Sequence, residues 1–491
     1  MSGYAGGGDF ARSERVFAQA EQWLAGPEAA GLGLAGLEDE LAVRGREIQR
    51  QLLQDHLFAR AAAEPRLARV TGPDGVCRTR AEAGHGRALS SIFGPVTASR
   101  IAYRAPGAPN VHPADEQLRL PPGKHSPGLA KMAAAGSAAG SLAAACKLVR
   151  ERTGCKLGTR QCQELVRAAA ADFEGYYASR PRPAPGPGQV LVLSPDAKGI
   201  RMRPGQLRPR AERLARRSVP KQDGRLSQGE VATRKRMAAA AAVYVIDPAP
   251  RTPGDITGPG PRRPGPAARH KWLTASVTAT TAQVVAAMFA EADRRDPARQ
   301  ARWIALADGN KDQIAQIRAQ AAARGITVTI ICDLIHVTEH LWDAAWSFHP
   351  KASPQAGPWV RARITALLDG GPGAAAAIAA ALRQAAAGLG RARRATANRT
   401  AAYLEAKAPH LDYPAALANG WPIATGVIEG ACRHLVKDRM DITGARWGVT
   451  TAEAILQLRA LIINDDFDAY WDWHLDREHE RSYPRPCALA A

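Results

Sequence analysis

The apolar positions change their spacing several times along this chain, and each change marks an element. Between residues 10 and 64, Leu37, Leu41, Ile48, Leu52 and Leu53 recur at helical spacing among charges. That pattern predicts an amphipathic helix, suited to packing or to self-association. From Ser90 to Tyr103 the period falls to two: Val96, Ser99 and Ile101 follow Gly94-Pro95, as in a hairpin strand. Residues 106–127 are a connector rich in Pro, Gly and His. A helix is expected over 142–152, then a turn, then a second helix that Thr159 caps and that runs to Ala171. Cys162, Leu165 and Val166 would face inward on it, leaving Arg160, Gln161, Gln163, Glu164 and Arg167 outside. Such a pair fits a helix-turn-helix whose second helix enters a DNA groove, and it fits a plain αα-hairpin equally.

After a linker at 181–187, the pattern becomes that of a sheet. Val190 to Leu193 is a short, wholly apolar run that reads as a strand buried on both faces. Pro195 is expected to end its ladder by removing a donor, with Asp196 just beyond. Further strands are predicted at 242–246 and 272–277, with a helix over 281–293. Two strand–helix units follow. Trp303 to Ala307 ends in Asp308-Gly309-Asn310, and Ile326 to Cys332 ends in Asp333-Leu334-Ile335-His336. Alternation of strand and helix implies a partly parallel sheet. From 355 to 420 strand signal vanishes and Ala-rich helices take over, with Arg391, Arg393 and Arg394 among them. In the helix predicted after Gly426, Glu429, Arg433 and Lys437 stand four apart, off the stripe of Ile428, Ala431, Cys432 and Leu435.

Charge alters this picture. Across 491 residues, 66 Lys and Arg against 46 Asp and Glu leave a net +20, which suggests a polyanionic partner such as nucleic acid. Residues 201–236 hold twelve Arg or Lys against three acids, including Arg201, Arg203, Arg234, Lys235 and Arg236. They read as a basic excursion between strands that contacts phosphates. Seven scattered cysteines with no Cys-x-x-Cys pair argue against a disulfide framework or a zinc ribbon. Cys332, His336 and His340 share a helix face but lack an evident fourth ligand, so a hydrogen-bonded core cluster is expected of them. The most apolar run, 237–246, is too short to span a bilayer, and the first residues lack signal-peptide character. A cytoplasmic, nucleoid-associated protein without a membrane partner is expected.

Three carboxylates then share a context: Asp196 and Asp308 at strand ends, and Glu429 on a helix. Ligands of open α/β sheets gather at the carboxyl ends of strands. Magnesium favours a few carboxylates plus substrate phosphates, and two such ions clamp an in-line displacement at phosphorus. Paired carboxylates would also serve a glycosidase, but +20 and only 5% aromatic residues fit sugar binding poorly.

Asp196 after its strand, Arg234-Lys235-Arg236-Met237-Ala238 leading to Val243-Tyr244, Ala307-Asp308-Gly309, Cys332-Asp333-Leu334-Ile335-His336 and Gly426-Val427-Ile428-Glu429-Gly430 resemble ISKra-type insertion-sequence transposases, relatives of the Mutator-like transposases. Gly94-Pro95-Val96 with Arg100 and Tyr103, and Gly444-Ala445-Arg446-Trp447, extend the resemblance over residues 89–447. Where the family commonly has Gly after the first aspartate, this chain has Ala197. The resemblance implies an α/β fold: an RNase H-like catalytic domain interrupted by an all-helical insertion, behind a mostly helical amino-terminal DNA-binding region. The corresponding segments are 1–88, 89–180, 186–350, 351–424 and 425–491. It also implies a DDE triad of Asp196, Asp308 and Glu429 holding two Mg²⁺, with Mn²⁺ able to substitute. Asp333 and His336 match the family's Asp-x-x-His and take an auxiliary role, Asp333 being the rival second ligand. The partners implied are double-stranded DNA, both terminal inverted repeats and target, bound by a homodimer or larger oligomer. The competing reading is a catalytically silent relative that keeps only DNA binding.

Overall fold

The computed structural model describes residues 10–217, 235–261, 263–442, 444–484 and 488–490. The chain divides into two compact units, 1–178 with 466–491, and 179–465. The expected last segment, 425–491, is therefore split between them, and the expected segments 1–88 and 89–180 fall in one unit up to residue 178.

In the first unit, α1 (Ala11–Leu24) packs on the long α2 (Leu34–Ala62), and α2 packs on a hairpin of β1 (Arg80–Ser91) and β2 (Gly94–Arg104). Leu57, Leu89, Val96 and Ala98 form their shared core. Three helices follow: α3 (Pro127–Ala139), α4 (Leu142–Thr153) and α5 (Thr159–Ala169). Leu129, Ala133, Val149 and Cys162 close a core between them. Gly154 ends α4 in the left-handed region, at φ 72°, where a residue without Cβ is at ease. Thr159 is not the cap of α5. Gly158 takes that place, and its N–H donates to Gln161 Oε1 at 3.2 Å. The carboxyl-terminal helix Phe467–Ser482 returns to this unit. There His474 Nδ1 and Arg481 Nη1 meet Asp172 at 2.6 Å each.

The second unit is a mixed α/β layer around a five-stranded sheet. Its strands are β3 (Val190–Arg201), β4 (Lys235–Ile246), β5 (Ala268–Ser276), β6 (Arg302–Ala307) and β7 (Val328–Cys332). Their spatial order is β5-β4-β3-β6-β7. β4 runs antiparallel to both neighbours, whereas β3, β6 and β7 are parallel. Contrary to the sequence reading, Pro195 does not end β3. The strand pairs with β4 through Pro195↔Ala241 and Asp196↔Ala240 as far as Arg201↔Lys235. On its other side β6 pairs only up to Leu193↔Ala305. Beyond that point β3 is an edge on one side, where proline is tolerated.

α6 (Pro209–Arg217) follows β3, and α7 (Thr281–Arg295) links β5 to β6. The parallel step from β6 to β7 runs through α8 (Lys311–Ala323), and α9 (Leu334–Phe348) leaves β7. Then come α10 (Ala356–Ala386), α11 (Arg391–Lys407) and α12 (Tyr413–Ala418), with no strand among them. Among the described residues α10 alone is long and apolar enough to cross a bilayer. It is broken at Gly371-Pro372 and packs against α9, α11 and α12. Last in this unit, α13 (Gly426–Ala431) continues as a π-helix over Cys432–Lys437, before a helix at Val449–Ile463.

Candidate functional site at the strand ends

Each acid is delivered by a distinct piece of local structure. Asp196 sits within β3, and its Oδ1 accepts the Ala197 N–H at 2.6 Å. Asp308 follows β6 and accepts the Asn310 N–H at 2.7 Å, while Asn310 Oδ1 caps α8 through Asp312 N at 2.9 Å. Gly309 makes this turn at φ 89°. Asp333 follows β7, whose last residue pairs with that of β6 as Ala307↔Cys332. It is the N-cap of α9, accepting from Ile335 N at 3.0 Å.

Asp333 is fully buried, and its second oxygen is also taken. Oδ2 accepts from the Thr425 hydroxyl and from His336 Nδ1, each at 2.7 Å. Although burial alone would raise its pKa, these hydrogen bonds hold the carboxyl below its usual value. In turn the hydrogen bond to Asp333 pushes His336 up to about 9, so at neutral pH the ring is an imidazolium. Thr425 lies one turn before Glu429, with Oγ1 3.5 Å from Glu429 Oε1.

Asp196 has the opposite bias. Burial raises its pKa and the neighbouring Asp308 charge adds to the rise, while the Ala197 amide, the Cys432 thiol and His336 oppose it. Burial also drives the Cys432 thiol upward, as does its place beside Asp196, so it stays a donor. The carboxyl thus feels Asp308 and His336 across the strand ends.

Among the described residues, one group of three potential ligands has its donor atoms mutually within 4.8 Å: Asp333, His336 and Glu429. The expected trio of Asp196, Asp308 and Glu429 is not drawn that tightly together. However, both Asp333 oxygens already accept hydrogen bonds and His336 carries a proton. That trio is a hydrogen-bonded network in which His336 must lose its Nε2 proton before the ring can ligate. Asp308, half-exposed, keeps Oδ2 without a partner among the described contacts. Carboxylates at Asp196 and Asp308 with Glu429 nearby are a donor set that fits a hard divalent cation.

The expected helical face of Glu429, Arg433 and Lys437 is not kept. Residues 432–437 are π-helical, which adds residues per turn and carries Lys437 out of the i, i+4 register. Both cations are exposed. Cys332, His336 and His340 do not converge on a metal. His336 turns to Asp333, and His340 stacks on Tyr403 with ring centroids 3.8 Å apart. The Cys332 thiol is pushed up to about 12 by burial.

The expected DNA-contacting residues are scattered over both units. Arg160 is exposed and pairs with Glu164 at 3.3 Å. Gln161 is committed to capping and, with Glu164, borders a cavity of about 390 Å³ lined also by Trp471 and His474. Arg167 is exposed. Arg203 N donates to Trp447 O at 2.9 Å, and the Trp447 N–H returns to Arg201 O at 3.1 Å. Lys235 pairs with Asp441 at 3.2 Å, while Arg236 donates to Val277 O at 2.7 Å. Arg234 lies outside the described residues, as does most of the basic excursion. Three residues of the site escaped the sequence reading: Thr425, Cys432 and Tyr403. Thr425 alone carried a signal, a hydroxyl residue just ahead of a predicted helix. No family model matches this chain, and no curated protein matches it.

Proposed function

We propose that residues 179–465 perform metal-dependent phosphodiester chemistry on DNA, cleaving a strand at the ends of a mobile element and joining it to a target. The observation that carries this reading is the register of two adjacent parallel strands: Asp196 and Asp308 each lie three residues beyond the last pair, Leu193↔Ala305, of β3 and β6. Two carboxylates from separate strands feel each other's charge, and burial of Asp196 already disfavours ionisation. Such a pair is costly without a cation. We read the sheet as RNase H-like. A strand order with the strand first in the chain central and the second reversed supports that reading, as do the strandless helices preceding Glu429.

Asp196 and Asp308, with Glu429 approaching from α13, would hold the cation. When bound, magnesium activates water and offsets charge developing at phosphorus. The protein's own groups do the rest. Asp333 keeps His336 protonated and aimed, and the imidazolium sets a positive charge beside Asp196 and Asp308. The Cys432 thiol and Ala197 amide orient the Asp196 carboxylate. Exposed Arg433 and Lys437 meet phosphates, and binding to DNA is expected to be salt-dependent. The test is nicking of a supercoiled plasmid carrying the DNA that flanks the gene. Nicking that requires Mg²⁺ and stops with chelator supports the reading; an inert protein that still binds the plasmid favours the silent relative.

A further inference from the structure

The face of β3 opposite Asp196 holds a cavity that cleavage chemistry does not use. Side chains alternate across a strand, so Ala197 points away from the carboxylates. With its cross-strand partner Ala239 it lines a cavity of about 500 Å³. Four cations, Arg208, Arg210, Lys235 and Arg236, line the same cavity, against the single carboxylate of Asp312 among its described lining.

Lys235 is already answered by Asp441. Arg208 and Arg236 are not answered in this way. Arg208 Nη2 donates to Ala279 O at 3.0 Å, and Arg236 donates to Val277 O and to Gln206 O at 2.7 and 3.4 Å. Among the described contacts neither guanidinium meets a carboxylate. Glu453, the acid that favours the Arg236 charge, is held by the Val277 and Thr278 amides. Burial and the Arg208 charge both depress Arg236. Like charges gathered around a cavity, in excess over the acids beside them, are relieved by an anion.

The start of α7 adds to the same field. Thr280 and Gln283 cap each other, which satisfies their own amides. The amides of Thr281 and Ala282 keep no intrahelical partner, and both residues line the cavity.

We infer that this cavity is an anion site for a phosphoryl group, carried by a nucleic-acid backbone or by a small phosphorylated compound. Only the nucleic-acid source rests on the function proposed above; anion binding does not.

Calorimetric titration with pyrophosphate, alongside anisotropy of a labelled random duplex, separates the cases. Arg208→Gln with Arg210→Gln should weaken pyrophosphate binding at least tenfold at fixed salt. Arg391→Gln with Arg393→Gln removes the same charge from α11 and should cost less than twofold. Thr281→Asp guards against misfolding, because an acid in the first helical turn favours the helix while its charge opposes the anion. It should keep the melting temperature and lose pyrophosphate. If pyrophosphate displaces the duplex and the cavity variants weaken both, the source is nucleic acid. If duplex binding is unaffected, the source is a small phosphorylated compound. Pyrophosphate binding that falls no further in the cavity variants than in the α11 pair overturns the inference. A protein that binds pyrophosphate here but cuts no DNA keeps this site and loses the nuclease reading.

Discussion

The Tyr403 hydroxyl donates to the backbone carbonyl of Asp308 at 3.4 Å, so a helix of the strandless region props the turn that carries a candidate metal ligand. The same ring stacks on His340, whose own carbonyl accepts from Thr400 at 2.9 Å. Gly309 completes the contact. A Cβ built there would lie 2.5 Å from the Tyr403 oxygen.

Tyr403→Phe should cost about 0.5–1.5 kcal/mol, the usual net worth of one hydrogen bond. It should lower strand cleavage more than DNA binding. Gly309→Ala should cost more, because its positive φ alone penalises a side chain by about 1–2 kcal/mol and the ring must also move. Combining Gly309→Ala with Tyr403→Ala frees the space, so the pair should destabilise by less than the sum. Strictly additive losses in chemical denaturation would remove the proposed coupling.

Thr425→Val takes a donor from the buried Asp333 carboxylate. A loss of about 1–3 kcal/mol is expected, the penalty for a buried acceptor left short of a partner. Thr425→Ser should restore most of it. Equal stability of the valine and serine variants would show that the hydroxyl does not matter.

His112, in the first unit, supplies a pH signature. Burial first, then the charge of Arg100, pushes it down to about 4, and its Nε2 is buried without a hydrogen-bond partner. His85, Arg87 and Arg104 add to the positive surroundings. Below the ordinary value near 6.5 the unfolded chain takes the proton before the folded one does. Stability should therefore fall as pH drops from 6.5 toward 4. His112→Gln should flatten that part of the difference curve, and parallel curves for the two proteins would exclude this origin.

The elements with one clear period were legible in the sequence. Helix α2, the strand β2 and the strand–turn–helix units at Asp308 and Asp333 all reappear as elements. The expected apolar stripe of α2 does not: Leu41 and Leu52 are exposed, and the helix buries Gln51, Gln54, Asp55 and Leu57 instead. In β2, Val96 and Ala98 share one face while Ser99 and Ile101 lie on the other. β4 was readable only from Ala242 onward, because Ala238 to Ala241 have poor intrinsic preference for a strand and are held there by complete burial. The length of β3 was hidden by Pro195, whose tolerance depends on where β6 stops pairing. At the site, Asp196, Asp308 and Glu429 could be nominated from strand ends and a helix. The bonds from Thr425 and His336 to Asp333, and from Cys432 to Asp196, join residues across folded elements, so no local pattern announces them. The π-helical stretch at 432–437 was likewise invisible to a reading at four-residue spacing.

The most direct test of the central claim is Mg²⁺-dependent nicking by Asp196→Asn and Asp308→Asn, beside Asp333→Asn, with DNA binding measured on the same samples. Grouped acids that act on one cation fail as a unit, so either of the first two changes should abolish nicking and leave duplex binding equal to or tighter than wild type. Asp333→Asn should retain residual activity, since that side chain orients His336 and caps α9. Wild-type nicking by both Asp196→Asn and Asp308→Asn would contradict the account outright.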